Sequence, residues 1–141
     1  MLALSIRQPF AELILRGTKT VEYRSRATRI VGQPFWIYAS KGWALRRAQG
    51  EGIWSRDLAT PHEPLPPWMV ELAEALQLWK PGDLPTGVIV GSAVIDKCIP
   101  STGSGQAQSN GHFEWHLDGV KRLDFPRKPT RMPQPVWFNP F

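Results

Sequence analysis

The chain has 141 residues, 42% of them hydrophobic and 21% charged, which suits one globular domain over 1–141 and sets aside disordered and coiled-coil classes. Its longest apolar run, "GVIVGSAVI" at 87–95, falls well short of the roughly 20 residues of a membrane-spanning helix. A single cysteine, Cys98, excludes an internal disulfide and a zinc site of several thiolates, and the net charge of +5 favours polyanionic partners.

That charge is uneven. Residues 1–47 carry nine Lys or Arg against two acids, whereas residues 48–85 carry two against six. The basic first third and the run "KRLDFPRKPTR" at 121–131 would form one positive face if the fold joins them; otherwise they are solvated surface. The start "MLALSIRQPF" lacks the charged, apolar and small-residue zones of a secretion signal, so the expected compartment is the cytoplasm.

In chain order, "LALSI" at 2–6 alternates and reads as a strand. Pro9 suits the first turn of a helix and Gly17 the position just past its end, so a short helix is expected at about 9–16, with Phe10, Leu13 and Ile14 inward. "KTVEYRS" and "PFWIYAS" at 34–40 read as strands. A short helix broken by Gly50 and Gly52 is expected within 43–60, a proline-rich loop at 60–67, and an amphipathic helix over 68–79. "TGVIVGSAVIDKCI" at 86–99 reads as a central strand bent at Gly91. A Gly/Ser-rich loop at 101–111 leads to "HFEWHL", which pairs with "GVKRLDF" at 119–125 as an expected hairpin, and prolines extend the tail. Short strands with two or three helices packed outside them predict an α+β fold built on a small curved sheet or barrel.

The residues with chemical potential concentrate in "GTKTVEYR" at 17–24. On a flat strand Thr18, Thr20, Glu22 and Arg24 share one face and Lys19, Val21 and Tyr23 the other, although a bend after Gly17 would bring Lys19 round to the rim. The stretch "LSIRQPFAELILRGTKTVEYRSR" followed by "FWIYASK" resembles the activating signal cointegrator homology (ASCH) domain of the PUA-like superfamily. Its signature is a Gln-Pro-aromatic helix start and Gly-x-Lys-x-x-Glu-x-Arg, here Gln8, Pro9, Phe10, Gly17, Lys19, Glu22 and Arg24. "PTGVIVGSAVIDKCI", "FEWHL" and "PQPVWF" extend the resemblance over nearly the whole chain.

The resemblance implies a small PUA-like β-barrel with a cleft between the first helix and the barrel wall that receives RNA, a nucleotide or a nucleoside. Walls of that cleft are expected from Arg7, Gln8, Pro9, Lys19, Glu22, Arg24, Ser40 and Lys41. One branch of the family hydrolyses N4-acetylcytidine with a lysine, a threonine and a distant glutamate. Lys19 matches that lysine, Glu22 stands at the threonine position, Thr20 lies beside it, and 101–111 holds no carboxylate. Lys19, Thr20 and Glu22 are therefore the catalytic set if the protein is an enzyme.

Three readings stay open at this point: a binding module, a hydrolase, and a module for an acidic protein partner. Charged Lys19 and Arg24 with Arg7 would bind phosphate, and Glu22 would accept from a base's exocyclic amine. A desolvated Lys19 would instead activate a nucleophile. His112, Glu114 and His116 share one strand face and read as a wet outer surface rather than a metal site. No phosphate loop, dinucleotide fingerprint or Ser-His-Asp arrangement with a supporting motif is present, so no cofactor is expected.

Overall fold

A computed structural model describes residues 1–43, 77–80, 82–100 and 113–141. Six strands, β1 (Ala3–Gln8), β2 (Val21–Arg24), β3 (Pro34–Trp43), β4 (Val88–Pro100), β5 (Phe113–Arg127) and β6 (Trp137–Phe138), form one sheet in the order β2-β5-β4-β3-β1-β6. The β1–β3 pair is parallel and every other pair antiparallel. The sheet curls into a half-barrel, and its two ends meet at a seam. There Arg24 of β2 donates to the Ser5 carbonyl of β1 at 2.8 Å, where a closed barrel would have a backbone ladder.

Alternation along β1 and β3 explains the two packed faces. Leu4 and Ile6 face Ile37 and Ala39 in register, and all four enter the main core with Phe35, Val90, Ile95 and Trp115. The intervening Ala3 and Tyr38 pack on the other side with Ile89 and Phe138. Trp115 stacks on Trp137, centroids 5.9 Å apart and planes 9° apart, and Trp137 meets Phe35 edge-on at 5.3 Å. Two of the seven tryptophans thus supply the bulk that a small core needs.

The helix α1 (Phe10–Leu15) matches the Pro9 and Gly17 signals. Its third amide, Glu12 N–H, is capped by Gln8 Oε1 at 3.0 Å. At the other end Gly17 adopts φ +80°, and the Gly17 and Thr18 amides return to the Ile14 and Leu13 carbonyls, the pairing of a Schellman cap. Ala11 and Ile14 join the main core, whereas Phe10 is only half-buried. Glu12 is buried as well, because Arg122 of β5 grips its two oxygens at 3.0 and 2.7 Å and Arg16 binds at 2.7 Å.

Two expectations need revision, the number of helices and the hairpin. Among the described residues α1 is the sole helix; the segments expected as helices in 43–60 and 68–79 lie outside them, apart from Trp43 at the end of β3 and residues 77–80, which include a turn. The loops at 60–67 and 101–111 also lie outside. The expected hairpin does not form: 113–127 is one long strand, and both of its halves pair with β4. Gly119 is the reason. Its φ of +57° is spent on a bulge in continuous pairing, where the three β4 residues from Ser92 to Val94 lie opposite four of β5 from Asp118 to Lys121. Gly91 does mark a bend, since the β4–β5 register shifts there, and a Cβ would lie 2.4 Å from the Lys121 carbonyl oxygen.

Candidate functional site

The seam leaves a cleft of about 770 Å³. Its walls come from β1 (Ser5, Arg7), β3 (Tyr38, Ser40, Lys41), the α1–β2 connection with β2 (Lys19, Glu22, Arg24), and the tail segment from Met132 to Pro135. Register accounts for the sheet wall. Ser5 faces Tyr38 and Arg7 faces Ser40 across the parallel pair, and these positions alternate with the core residues Ile6 and Ala39. The tail is tied down by the Ser5 hydroxyl donating to the Gln134 carbonyl and by Ser5 N–H to Val136 O at 2.9 Å.

Lys19 precedes β2 instead of belonging to it, so strand alternation does not govern it. The Schellman turn sends Lys19 N–H back to the Leu13 carbonyl at 3.1 Å, and the side chain then runs into the same cleft as Glu22 and Arg24. It is 2% exposed. Its ammonium donates to the Val21 carbonyl at 2.7 Å, stands 3.7 Å from Glu22 Oε1, and lies 5.2 and 5.1 Å from the Phe10 and Tyr23 ring centroids. Carbonyl, carboxylate and two ring faces are all partners suited to a cation.

Glu22 is 7% exposed and engaged on both oxygens: Lys19 approaches Oε1, while Arg24 Nε and Nη2 reach Oε2 at 2.9 and 2.7 Å. Arg24 also lies over Trp115, 5.7 Å from its centroid. The guanidinium thus joins β2, the barrel core and the seam. Tyr38 is 3% exposed, edge-on to Phe138 at 5.3 Å, and burial pushes its phenol above the ordinary tyrosine value.

Of the residues expected at the site, Arg7, Lys19, Glu22, Arg24, Ser40 and Lys41 line the cleft. Gln8, Pro9 and Thr20 do not. Gln8 is wholly buried and caps α1 while its Nε2 donates to the Pro85 carbonyl at 3.0 Å. Pro9 is buried at the helix start, and Thr20 is exposed, its carbonyl accepting from Leu117 N–H at 2.9 Å. Residue-by-residue reading missed Tyr23, which alternation put on the wrong face, and the tail wall, whose prolines signalled extension but no destination.

The cleft holds four cationic side chains and one carboxylate among its described lining residues, with hydroxyls and aromatic rings between them. Such a surface can bind a phosphate and hold a flat polar group. Elsewhere, His116 Nε2 and Glu114 Oε1 lie 3.0 Å apart on β5; His112 lies outside the described residues, and no cluster of three metal-ligating side chains occurs among those described. The 121–131 run is partly committed to the fold, with Arg122 on Glu12 and Arg127 over Phe141 at 3.9 Å. No helix among the described residues is long and apolar enough to cross a membrane.

The family model of the ASCH domain matches residues 4–126. The chain belongs to the ASCH domain family. Among solved structures, the ASCH protein of Zymomonas mobilis is similar to it at 14% identity and TM-score 0.47, over 90% of this chain and 72% of that one. Two single-residue variants of that protein match at 14% identity with TM-scores of 0.48 and 0.47. No curated protein matches the chain. The span from Leu4 to Pro126 takes in β1 to β4 and most of β5, and so all of the cleft except its tail wall.

Proposed function

We propose that this ASCH domain binds RNA or a nucleotide in the seam cleft and acts in the cytoplasm. The observation that carries the reading is the convergence of Arg7, Lys19, Arg24 and Lys41 on one hollow beside the Glu22 carboxylate. Cations hold the sugar-phosphate backbone, while rings and the Glu22 edge meet the base. The hydrolase alternative, with Lys19, Thr20 and Glu22 as catalytic residues, is served less well. Lys19 would have to leave the Val21 carbonyl and Glu22 to act as a base or nucleophile, and Thr20 lies outside the cleft. A docking module for an acidic protein would need a broad basic surface, and the charge here is concave.

Fluorescence anisotropy of a short single-stranded RNA, repeated over a salt series, tests the reading. Affinity should fall with salt, and Arg7→Gln and Lys19→Gln should each weaken binding and lower the salt slope by roughly 0.7 for each phosphate they no longer neutralise. Unchanged affinity and slope in both folded variants would show that RNA does not use the cleft. Mass spectrometry after incubation with N4-acetylcytidine and with RNA separates binding from turnover. Product that forms with the parent chain and vanishes with Lys19→Gln would replace the binding reading by the hydrolase.

A further inference from the structure

The walls of the cleft differ in kind. Every charged side chain among its described lining residues, Arg7, Lys19, Glu22, Arg24 and Lys41, comes from β1, β2, β3 or the turn before β2. The tail wall, 132–135, reads Met-Pro-Gln-Pro and brings none. Its backbone is stiff by composition. Pro133 and Pro135 fix their own φ, and each restricts the residue before it, so all four positions have a narrowed conformational range.

The segment is also tied on both sides. The Thr130 and Arg131 amides donate to the Pro140 carbonyl at 2.8 and 3.1 Å. Further along, Ser5 donates from its hydroxyl to the Gln134 carbonyl and from its amide to the Val136 carbonyl, the latter at 2.9 Å, and Trp137 and Phe138 then pair with Leu4 and Ala3. Through its own carbonyl Ser5 accepts from Arg24 at 2.8 Å, so one residue fixes both the tail wall and the β2 wall.

Met132 is 79% exposed on this tied backbone. A lone exposed hydrophobic residue is ordinary on a protein surface. Met132 differs in its place: of the large hydrophobic residues exposed among those described, it is the one that lines the cleft. A thioether between pyrrolidine rings makes an uncharged, polarisable surface, and the flat face of an aromatic ring is the partner that suits it. A phosphate gains nothing there.

We infer that 132–135 is the wall on which a base of the ligand lies, with Met132 as its contact and Ser5 as the residue that positions it. The phosphates then belong to the cationic walls, and the ligand is recognised as a base-bearing strand or nucleotide, not as a polyanion alone. This rests on the nucleic-acid reading above and adds to it how the base is held.

Anisotropy of a mixed-sequence 12-nucleotide RNA and of an abasic strand of the same length, titrated with the full chain over a salt series, tests the wall. Met132 is exposed, so Met132→Ser should fold, and its urea midpoint verifies that. It should weaken the RNA about twofold to tenfold, the range of a sulfur–aromatic contact, while the salt slope and the affinity for the abasic strand stay as in the parent chain. Ser5→Ala keeps the backbone bonds of Ser5 and loses only the hydroxyl bond. It should weaken the RNA in the same base-dependent way, and the two substitutions together should lose less than the product of the single losses. RNA that binds the parent chain and Met132→Ser equally, a changed salt slope, or a loss shared by the abasic strand overturns the wall and leaves the cleft reading intact. Fully multiplicative losses in the double variant overturn the positioning role of Ser5. Failure of both strands to bind the parent chain removes this inference and the cleft reading together.

Discussion

Replacing Glu22 by Gln should cost more than removing Glu22 and Lys19 together. The carboxylate is 7% exposed and the ammonium beside it 2%. Glu22→Gln keeps the shape but takes the carboxylate away from the buried Lys19 charge, which keeps the Val21 carbonyl and two ring faces. Breaking a buried pair by removing one partner typically costs about 3–5 kcal/mol. The retained carbonyl and the part-exposed Arg24 lower the expectation to about 2–3 kcal/mol. In Lys19→Met/Glu22→Gln no ammonium is left stranded, so the pair should cost only about 1–2 kcal/mol, with a coupling of at least about 1 kcal/mol. Urea unfolding followed by tryptophan fluorescence reads this out through the buried Trp115, with the m-value checked for constancy. Additive single-variant costs would refute the claim that the two charges compensate each other.

Glu12 gives a pH test. Burial pushes its carboxyl up, but hydrogen bonds from Arg122 and then Arg16, with their charges, outweigh this and hold it below the usual carboxylate range. A depressed folded-state value means that the stability it contributes is present above the unfolded value, about 4.3, and is lost as pH falls through the folded one. Glu12→Gln should therefore lower the urea midpoint at neutral pH and flatten the acid limb of stability; an unchanged limb would contradict the assignment. Gly91→Ala should destabilise by about 2–3 kcal/mol, because the added Cβ meets the Lys121 carbonyl at 2.4 Å and that backbone must move. A midpoint equal to that of the parent chain would show that the β4–β5 bulge yields at no cost.

How much of this was legible in the sequence depended on whether the signal was local. Helix α1 was, because Pro9 and Gly17 bracket it and both act through backbone geometry within a few residues. So were β1, the start of β3 and the bend at Gly91, where β-branched runs and a glycine speak for themselves. The hairpin expectation failed because a left-handed glycine serves a turn or a bulge equally well, and only pairing with a third strand decides which; β4 ran alongside both halves and made Gly119 a bulge. The burial of Glu12 was not legible, since only Phe10, Leu13 and Ile14 were expected inward. Its partner Arg122 comes 110 positions later, which no window could see.

The candidate site was legible as a set of residues and not as a surface. Lys19, Glu22 and Arg24 stood out by type and spacing, yet alternation divided them between two faces, and what reunites them is the Schellman cap that turns Lys19 before the strand begins. The cleft itself follows from incomplete closure. β6 pairs with β1 only at Ala3 and Leu4, so from Ser5 onward that edge has no strand ladder among the described residues, and the approach of β2 is made by one guanidinium. A full ladder at this seam would have filled the hollow with backbone. Holding it with Arg24 leaves a concavity whose walls already carry charge, because a side chain that bridges two edges must itself be polar. The balance of Arg24 between Glu22 and the Ser5 carbonyl serves closure, and under the proposed function a ligand phosphate that drew the guanidinium away would loosen the seam it enters.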